Sequence, residues 1–196
     1  MKGGMVQKLK VVLFNGSPRK EGNTYHCLST VMKELTSEGI ECEYVWIGMD
    51  RLQGCTACFK CVENNDQRCV LKGDKMNDYI EKMLEADGII IGSPTYFSDL
   101  STNTKALIER AGYATSKYLK NKIGAAVVAV RRAGANHVFS SINYFFLIKE
   151  MIVVGSTYWN MGIGRNPGEV LNDEEGIRTF RNLGRNFAYV LKKMKT

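Results

Sequence analysis

Leu9-Lys10-Val11-Val12-Leu13-Phe14-Asn15-Gly16-Ser17-Pro18-Arg19-Lys20-Glu21-Gly22-Asn23-Thr24 is the stretch whose reading decides the fold. Residues 8–15 form a near-continuous apolar run, the pattern of a strand covered on both faces of a parallel sheet. The chain then turns through small and hydroxyl residues into a segment, 24–38, whose apolar residues at 27, 28, 31, 32 and 35 share one helical stripe, with Gly39 as its stop. A strand that passes through such a loop into a helix start makes an anion site. Unpaired backbone N–H groups and the positive end of the helix dipole both face the loop. Ser17, Asn23 and Thr24 can add side-chain donors, Arg19 or Lys20 can add charge, and Gly16 and Gly22 let backbone approach a ligand. Neither a Gly-Lys-Ser/Thr triplet nor a G-x-G-x-x-G fingerprint is present. The loop therefore suits a single terminal monophosphate; the alternative is a polar turn that binds nothing.

Working outward, strands and helices alternate. Residues 40–47 alternate apolar and polar, as an edge strand does. Asp74 caps a helix carrying Met76, Ile80, Met83 and Leu84, and residues 88–92 are a short buried strand. A helix over 104–113, a buried strand over 123–130, a helix over 138–150 and a last central strand over 151–154 follow. Asp173-Glu174-Glu175 then opens a helix with Ile177, Phe180, Phe187, Ala188 and Leu191 on one face. Such alternation predicts a parallel sheet with right-handed crossovers in one three-layer α/β domain over residues 1–196, with a Cys-rich excursion at about 54–72. A chain of 196 residues with 44% apolar and 24% charged residues suits one ordinary globular domain.

The net charge of +7 comes from scattered Lys and Arg, with Lys192, Lys193 and Lys195 closing a helix where cations complement the dipole. That distribution argues against nucleic acid and for attraction of anionic phosphates or acidic partners. No apolar run approaches the ~20 residues of a spanning helix, and Met1-Lys2-Gly3-Gly4 opens no signal-peptide apolar region, so no membrane partner and a cytoplasmic location are expected.

In an open α/β sheet, ligands sit beyond the carboxyl ends of the strands where strand order reverses. A second loop belongs there: Gly92-Ser93-Pro94-Thr95-Tyr96-Phe97-Ser98. Backbone N–H groups of Thr95 to Phe97 and stacking on Tyr96 would hold a planar heterocycle. Alone, its aromatics are better explained as a cap on the core. Paired with a phosphate loop at another strand end, it describes FMN.

Gly16-Ser17-Pro18-Arg19 with Gly22-Asn23-Thr24, then Gly92-Ser93-Pro94-Thr95-Tyr96-Phe97, resembles the flavodoxin-like NADPH-dependent FMN reductase family over nearly the whole chain. The resemblance implies a flavodoxin-like three-layer sandwich whose five-stranded parallel sheet has the order 2-1-3-4-5, with FMN at the switch point. It implies phosphate contacts from Ser17, Arg19, Asn23 and Thr24, with Lys20 beside them, and ring contacts from Pro94, Thr95, Tyr96, Phe97 and Ser98. The loop after the fourth strand, Arg131 through Gly134, would also line the flavin. NAD(P)H as co-substrate and assembly as a homodimer or homotetramer come with the family; the apolar stretch 140–146 (Ile142, Tyr144, Phe145, Phe146) is more than one helix face needs.

Cys55, Cys58, Cys61 and Cys69 form C-x2-C-x2-C-x7-C in a segment of loop character, while Cys27 and Cys42 read as small core residues. Six cysteines in a cytoplasmic chain should not be disulfides. The x2, x2 spacing with a more distant fourth is that of cubane [4Fe–4S] clusters, though no Pro follows Cys69. As a metal, zinc, which prefers two separated C-x2-C pairs, comes second, and four free thiols rank ahead of it as the alternative to a cluster. The segment resembles the iron–sulfur flavoprotein branch of the same family, in which this compact motif ligates a [4Fe–4S] cluster near FMN. The resemblance implies an FMN-dependent oxidoreductase that passes electrons between NAD(P)H or ferredoxin and a small acceptor, the cluster dividing the flavin's electron pair. No catalytic side chain is expected, because flavin carries the chemistry; His26 and His137 read as solvated or capping residues. An NAD(P)H:quinone or flavin reductase without a cluster, and a zinc-stabilised interaction module, are the alternatives.

Overall fold

In the computed structural model, residues 8–195 are described. The N-terminal residues 1–4 read above for a leader lie outside them. β1 (Lys10–Asn15) is buried from its second residue on, and it pairs in parallel with β2 (Glu41–Trp46) on one edge and β3 (Gly88–Pro94) on the other. β3 pairs in parallel with β4 (Ile123–Val130), and every residue of these two strands is buried. Strands so enclosed need cover on both faces, and successive side chains go to opposite faces.

The cover is visible in two separate cores. Val11 and Leu13 of β1 pack beneath α1 (Asn23–Ser37) and α6 (Glu174–Lys195), with Leu28, Val31, Phe180 and Phe187. Val12 and Phe14 pack on the other face beneath α3 (Met76–Glu85), α4 (Thr102–Ala114) and α5 (Ala135–Ile148), with Met76, Ile80, Leu107 and Phe146. Cys27 lies in the first of these cores, and Cys42 packs against it. A short helix, α2 (Lys60–Asn64), interrupts the Cys-rich excursion between β2 and α3. No described helix is long and apolar enough to cross a membrane.

The strand order is β2-β1-β3-β4-β5, as expected, but the fifth position is built differently. The strand expected over 151–154 shrinks to β5 (Ile152–Val153), which meets only Ile123 and Gly124 at the start of β4; it is a short edge piece, not a central strand. The chain then leaves and returns as β6 (Met161–Ile163), pairing with Val128 to Val130. Since β3 occupies one edge of β4, β5 and β6 must share the other. The sheet thus has six strands, the last two being halves of one interrupted edge. A short 3-10 turn (Glu169–Asn172) leads from β6 into α6.

Of the apolar stretch in α5, Ile142, Phe145 and Phe146 are consumed by the chain's own core, while Tyr144 is exposed together with Leu147 and Ile148.

Candidate functional site

The ends of β1, β3, β4 and β6 open onto one cleft of about 280 Å³, lined by Ser17, Arg19, Asn23, Thr24, Pro94, Thr95, Tyr96, Arg131 and Arg165 among others. Its first wall is the loop after β1. Asn15 starts the turn by accepting the Ser17 N–H on Oδ1 at 2.9 Å, and the Ser17 hydroxyl accepts the Arg19 N–H at 3.2 Å. Trp46 donates its indole N–H to the Ser17 carbonyl at 2.7 Å, which ties the loop to β2. α1 begins at Gly22 with no side chain capping it and no acidic residue in its first turn. The dipole and its amides are therefore left for an anion, and Arg19, Arg131 and Arg165 supply charge of the right sign around the cleft.

Two orphaned atoms test whether a ligand fits. Thr24 is 1% exposed and its Oγ1 has no hydrogen-bond partner; the Thr95 Oγ1 is likewise buried and unpartnered. Both residues line the cleft. A buried hydroxyl without a partner costs about 1–3 kcal/mol, so two at one cleft point to polar ligand atoms there. A flavin phosphate fits this cleft by charge, by the uncapped helix and by the waiting hydroxyls.

The second loop departs from expectation. β3 runs on to Pro94, so the Thr95 N–H is spent on the Ala129 carbonyl at 2.9 Å. The Tyr96 N–H goes to the Asp99 carbonyl at 2.9 Å, and Asp99 N–H returns to Tyr96 at 3.0 Å, closing a tight turn. Two of the three amides expected to meet the ring are thus engaged within the fold. Phe97 and Ser98, at the turn's centre, both have positive φ, 49° and 63°. That pair of left-handed residues leaves the Phe97 ring fully exposed and outside the cleft's lining. Pro94, Thr95 and the half-exposed Tyr96 remain as lining.

Other expected residues separate in the same way. Lys20 is absent from the lining and lies over the Trp46 ring, 5.8 Å from its centre. Asn23 lines the cleft, but its Oδ1 accepts the Val170 N–H at 3.3 Å and so anchors the 3-10 turn as well. Gly134 does not line it. With φ of 89°, it caps α5, and a Cβ there would stand 2.7 Å from the Cα of Ser98, so it exists to let the tight turn approach. Gly16 is small for a neighbour rather than a ligand, since its Cβ would fall 1.8 Å from the Thr104 hydroxyl. Arg165 and Gly164, which follow β6, were not expected; a three-residue strand leaves no periodic signal.

The four cysteines of the excursion line one second cavity, together with Phe59, Leu71, Arg110 and Tyr113. The Cys-rich segment is held from α3 and α4. Cys69 N–H donates to Asn77 Oδ1 at 2.7 Å, Cys55 N–H donates to the Glu109 carboxylate at 3.3 Å, and Arg110 Nε donates to Cys69 Sγ at 3.2 Å. The Ala57 N–H points at Cys55 Sγ, 3.4 Å away. Burial, with Cys69 beside it, pushes the Cys61 thiol up, whereas the Lys60 N–H holds the exposed Cys58 thiol down. Among the described residues, no three His, Cys, Asp or Glu side chains are grouped to hold a single metal ion. The cysteines line a narrow cavity with about 10 Å³ free to a water. Residues 53–68 contain no buried side chain, which makes this the least packed part of the fold. By donor chemistry, four thiols with N–H groups aimed at two of the sulfurs, the cavity suits an iron–sulfur cluster.

A doubly covered parallel sheet of order 2-1-3-4-5 with a phosphate-and-ring cleft at its switch point defines a flavodoxin-like protein. Residues 9–166 match the NADPH-dependent FMN reductase family. An iron–sulfur flavoprotein of Methanocaldococcus jannaschii is 38% identical over 195 residues, covering 95% of this chain and 100% of its own. One from Methanosarcina thermophila is 33% identical, covering 94% of this chain and 96% of its own. Among solved structures, RosB with bound 8-demethyl-8-formylriboflavin-5'-phosphate superposes with a TM-score of 0.76 at 19% identity, over 95% of this chain and 80% of its own. The chain belongs to the NADPH-dependent FMN reductase family, in its iron–sulfur flavoprotein branch. FMN is its cofactor and oxidation–reduction its chemistry.

Proposed function

We propose that this chain passes electrons between NAD(P)H or ferredoxin and a small acceptor, using FMN in the cleft and a [4Fe–4S] cluster on Cys55, Cys58, Cys61 and Cys69. The observation that carries the reading is that one domain brings four thiols to one cavity while its strand ends form a flavin cleft. FMN, when bound, would accept a hydride and return one or two electrons. Ser17, Arg19, Thr24 and the start of α1 would bind the phosphate, and Pro94, Thr95 and Tyr96 would orient the ring. Arg131, exposed at the rim, would face negative charge on the reduced ring or on a nicotinamide phosphate. The exposed Tyr144, Leu147 and Ile148 on α5 support assembly as a homodimer or homotetramer, which the mass in solution checks.

A visible spectrum of anaerobically prepared and iron-reconstituted protein, before and after dithionite, tests both cofactors together. Flavin bands plus a broad iron–sulfur absorption are expected. Protein that is colourless and stays so when offered FMN overturns the whole reading. Adding NADPH without oxygen then distinguishes donors: rapid flavin bleaching supports the nicotinamide route, and no bleaching leaves a ferredoxin-fed carrier. A second reading is a cluster-free NAD(P)H:quinone or flavin reductase, for which the spectrum would show flavin alone. Zinc without iron in the same preparation would instead favour a zinc-stabilised interaction module.

A further inference from the structure

Among the described residues, Arg110 is the charged residue that the fold buries, at 1% exposure. It sits in α4, between Glu109 and Ala111, where a Leu or Met would pack without desolvation cost. Every edge of its guanidinium is engaged. Nε donates to Cys69 Sγ at 3.2 Å, Nη1 donates to the Gln53 carbonyl at 3.1 Å and to the Asp74 carboxylate, and Nη2 donates to the Leu71 carbonyl at 3.3 Å. These partners bracket the Cys-rich excursion at both ends, at residues 53 and 69–74. A buried ion pair is not needed for stability as such. What distinguishes this one is that the cation is aimed at a sulfur of the ligand set.

We propose that Arg110 is the positioning and potential-setting residue of the four-cysteine centre: its guanidinium holds the Cys69 sulfur in place and favours the reduced form of a cluster bound there. The inference rests on the cluster reading given above. Reduction adds one electron and so one negative charge to the cluster. A cation and an N–H donor at a ligand sulfur stabilise the more negative state, which raises the potential. Asp74 acts against this, but it sits on Nη1 while the sulfur is on Nε, and Coulomb energy falls with distance. The net effect is a cluster that takes an electron more readily than its four thiolates alone would allow.

The test compares wild type, Arg110→Gln, Arg110→Lys and Asp74→Asn, each reconstituted anaerobically with iron and sulfide. Iron and sulfide content are measured, and the cluster's midpoint potential is followed by electron paramagnetic resonance in a redox titration. Arg110→Gln should lower the potential, Arg110→Lys should lie between it and wild type, and Asp74→Asn should raise it. The flavin potential, read from its visible band, should not move in any of them. A loaded Arg110→Gln protein with the wild-type potential overturns the inference, as does a shift of the Gln and Asn variants in the same direction. Should Arg110→Gln lose its iron, the double variant R110Q/D74N is compared with D74N; a lower potential supports the inference and an equal one overturns it. Wild type that takes up no iron removes the cluster reading itself, whereas loaded wild type with unmoved variants removes only the role of Arg110.

Discussion

The side-chain amide of Asn77 closes on the main chain of Cys69 from both sides, accepting its N–H at 2.7 Å and donating to its C=O at 2.9 Å. Asn77 lies in the first turn of α3, so a helix of the core fixes the backbone of the fourth cysteine eight residues away. Together with Arg110 on α4, it makes Cys69 a buried fixed point against which the exposed remainder of the loop can move.

Replacing Asn77 by Ala removes both bonds and leaves a backbone donor and acceptor near the interior without partners. A loss of about 1–3 kcal/mol in unfolding free energy is expected. Urea unfolding of the cluster-free protein measures it. Iron uptake should also become slower, because Cys69 no longer waits in position; uptake as fast as wild type would show that the loop needs no anchor.

Thr24→Val separates ligand binding from stability by sign. The wild-type hydroxyl is buried without a partner in the absence of ligand, so its removal should leave the apo protein as stable as before or more so. FMN should bind roughly tenfold to 150-fold more weakly, the worth of one hydrogen bond to a charged group at about 1.5–3 kcal/mol. Quenching of flavin fluorescence reports the affinity. Unchanged affinity would mean that the phosphate lies elsewhere in the cleft.

Two glycines with left-handed backbone should respond differently to Ala. Gly39 has φ of 79° and open space where a Cβ would go, so only the conformational cost of about 1–2 kcal/mol applies, and FMN binding should be untouched. Gly134, with φ of 89°, adds the clash with the Ser98 backbone, which must push the 96–99 turn and with it Tyr96. Its Ala variant should lose more stability and also bind FMN more weakly. Equal effects in the two variants would show that the turn does not support the ring.

Acid should weaken the Asp74 clamp in a defined direction. Burial pushes its carboxyl up, but the Arg110 guanidinium and the N–H groups of Gln53 and Met76 outweigh that and hold it below its ordinary 3.8. A carboxylate held lower in the folded state contributes fully above its ordinary value and loses that contribution as pH falls through the folded one. Asp74→Asn should therefore be less stable than wild type at pH 7, by about 3–5 kcal/mol if the pair behaves as buried pairs do. The gap should shrink as pH falls below about 4, as parallel denaturant curves would show.

Much of the fold is legible along the chain because hydrophobic period is a local property. The runs at 9–14, 89–91 and 123–130 announce strands enclosed on both faces, and the stripe at 27, 28, 31, 32 and 35 announces the first helix. Parallel topology then forces the loops after β1 and β3 to the same sheet end, so their juxtaposition could be read before any coordinate was known. β6 was not legible: three residues carry no period, and their place beside Val128 to Val130 follows from a sheet edge left vacant by a short β5.

The order of elements as far as β4, the two loops of the cleft and the set of four thiols were thus decided by sequence alone, since each depends on residues close together in the chain. Only the tertiary structure decided that Lys20 lies over Trp46, that the Phe97 ring is fully exposed, that Arg165 joins the cleft, and that Arg110 reaches Cys69 across 41 residues. The physical reason is the same in each case. Where a polar or aromatic side chain ends up depends on which partners the packed core brings within a few ångströms of it, and local spacing holds no record of those partners.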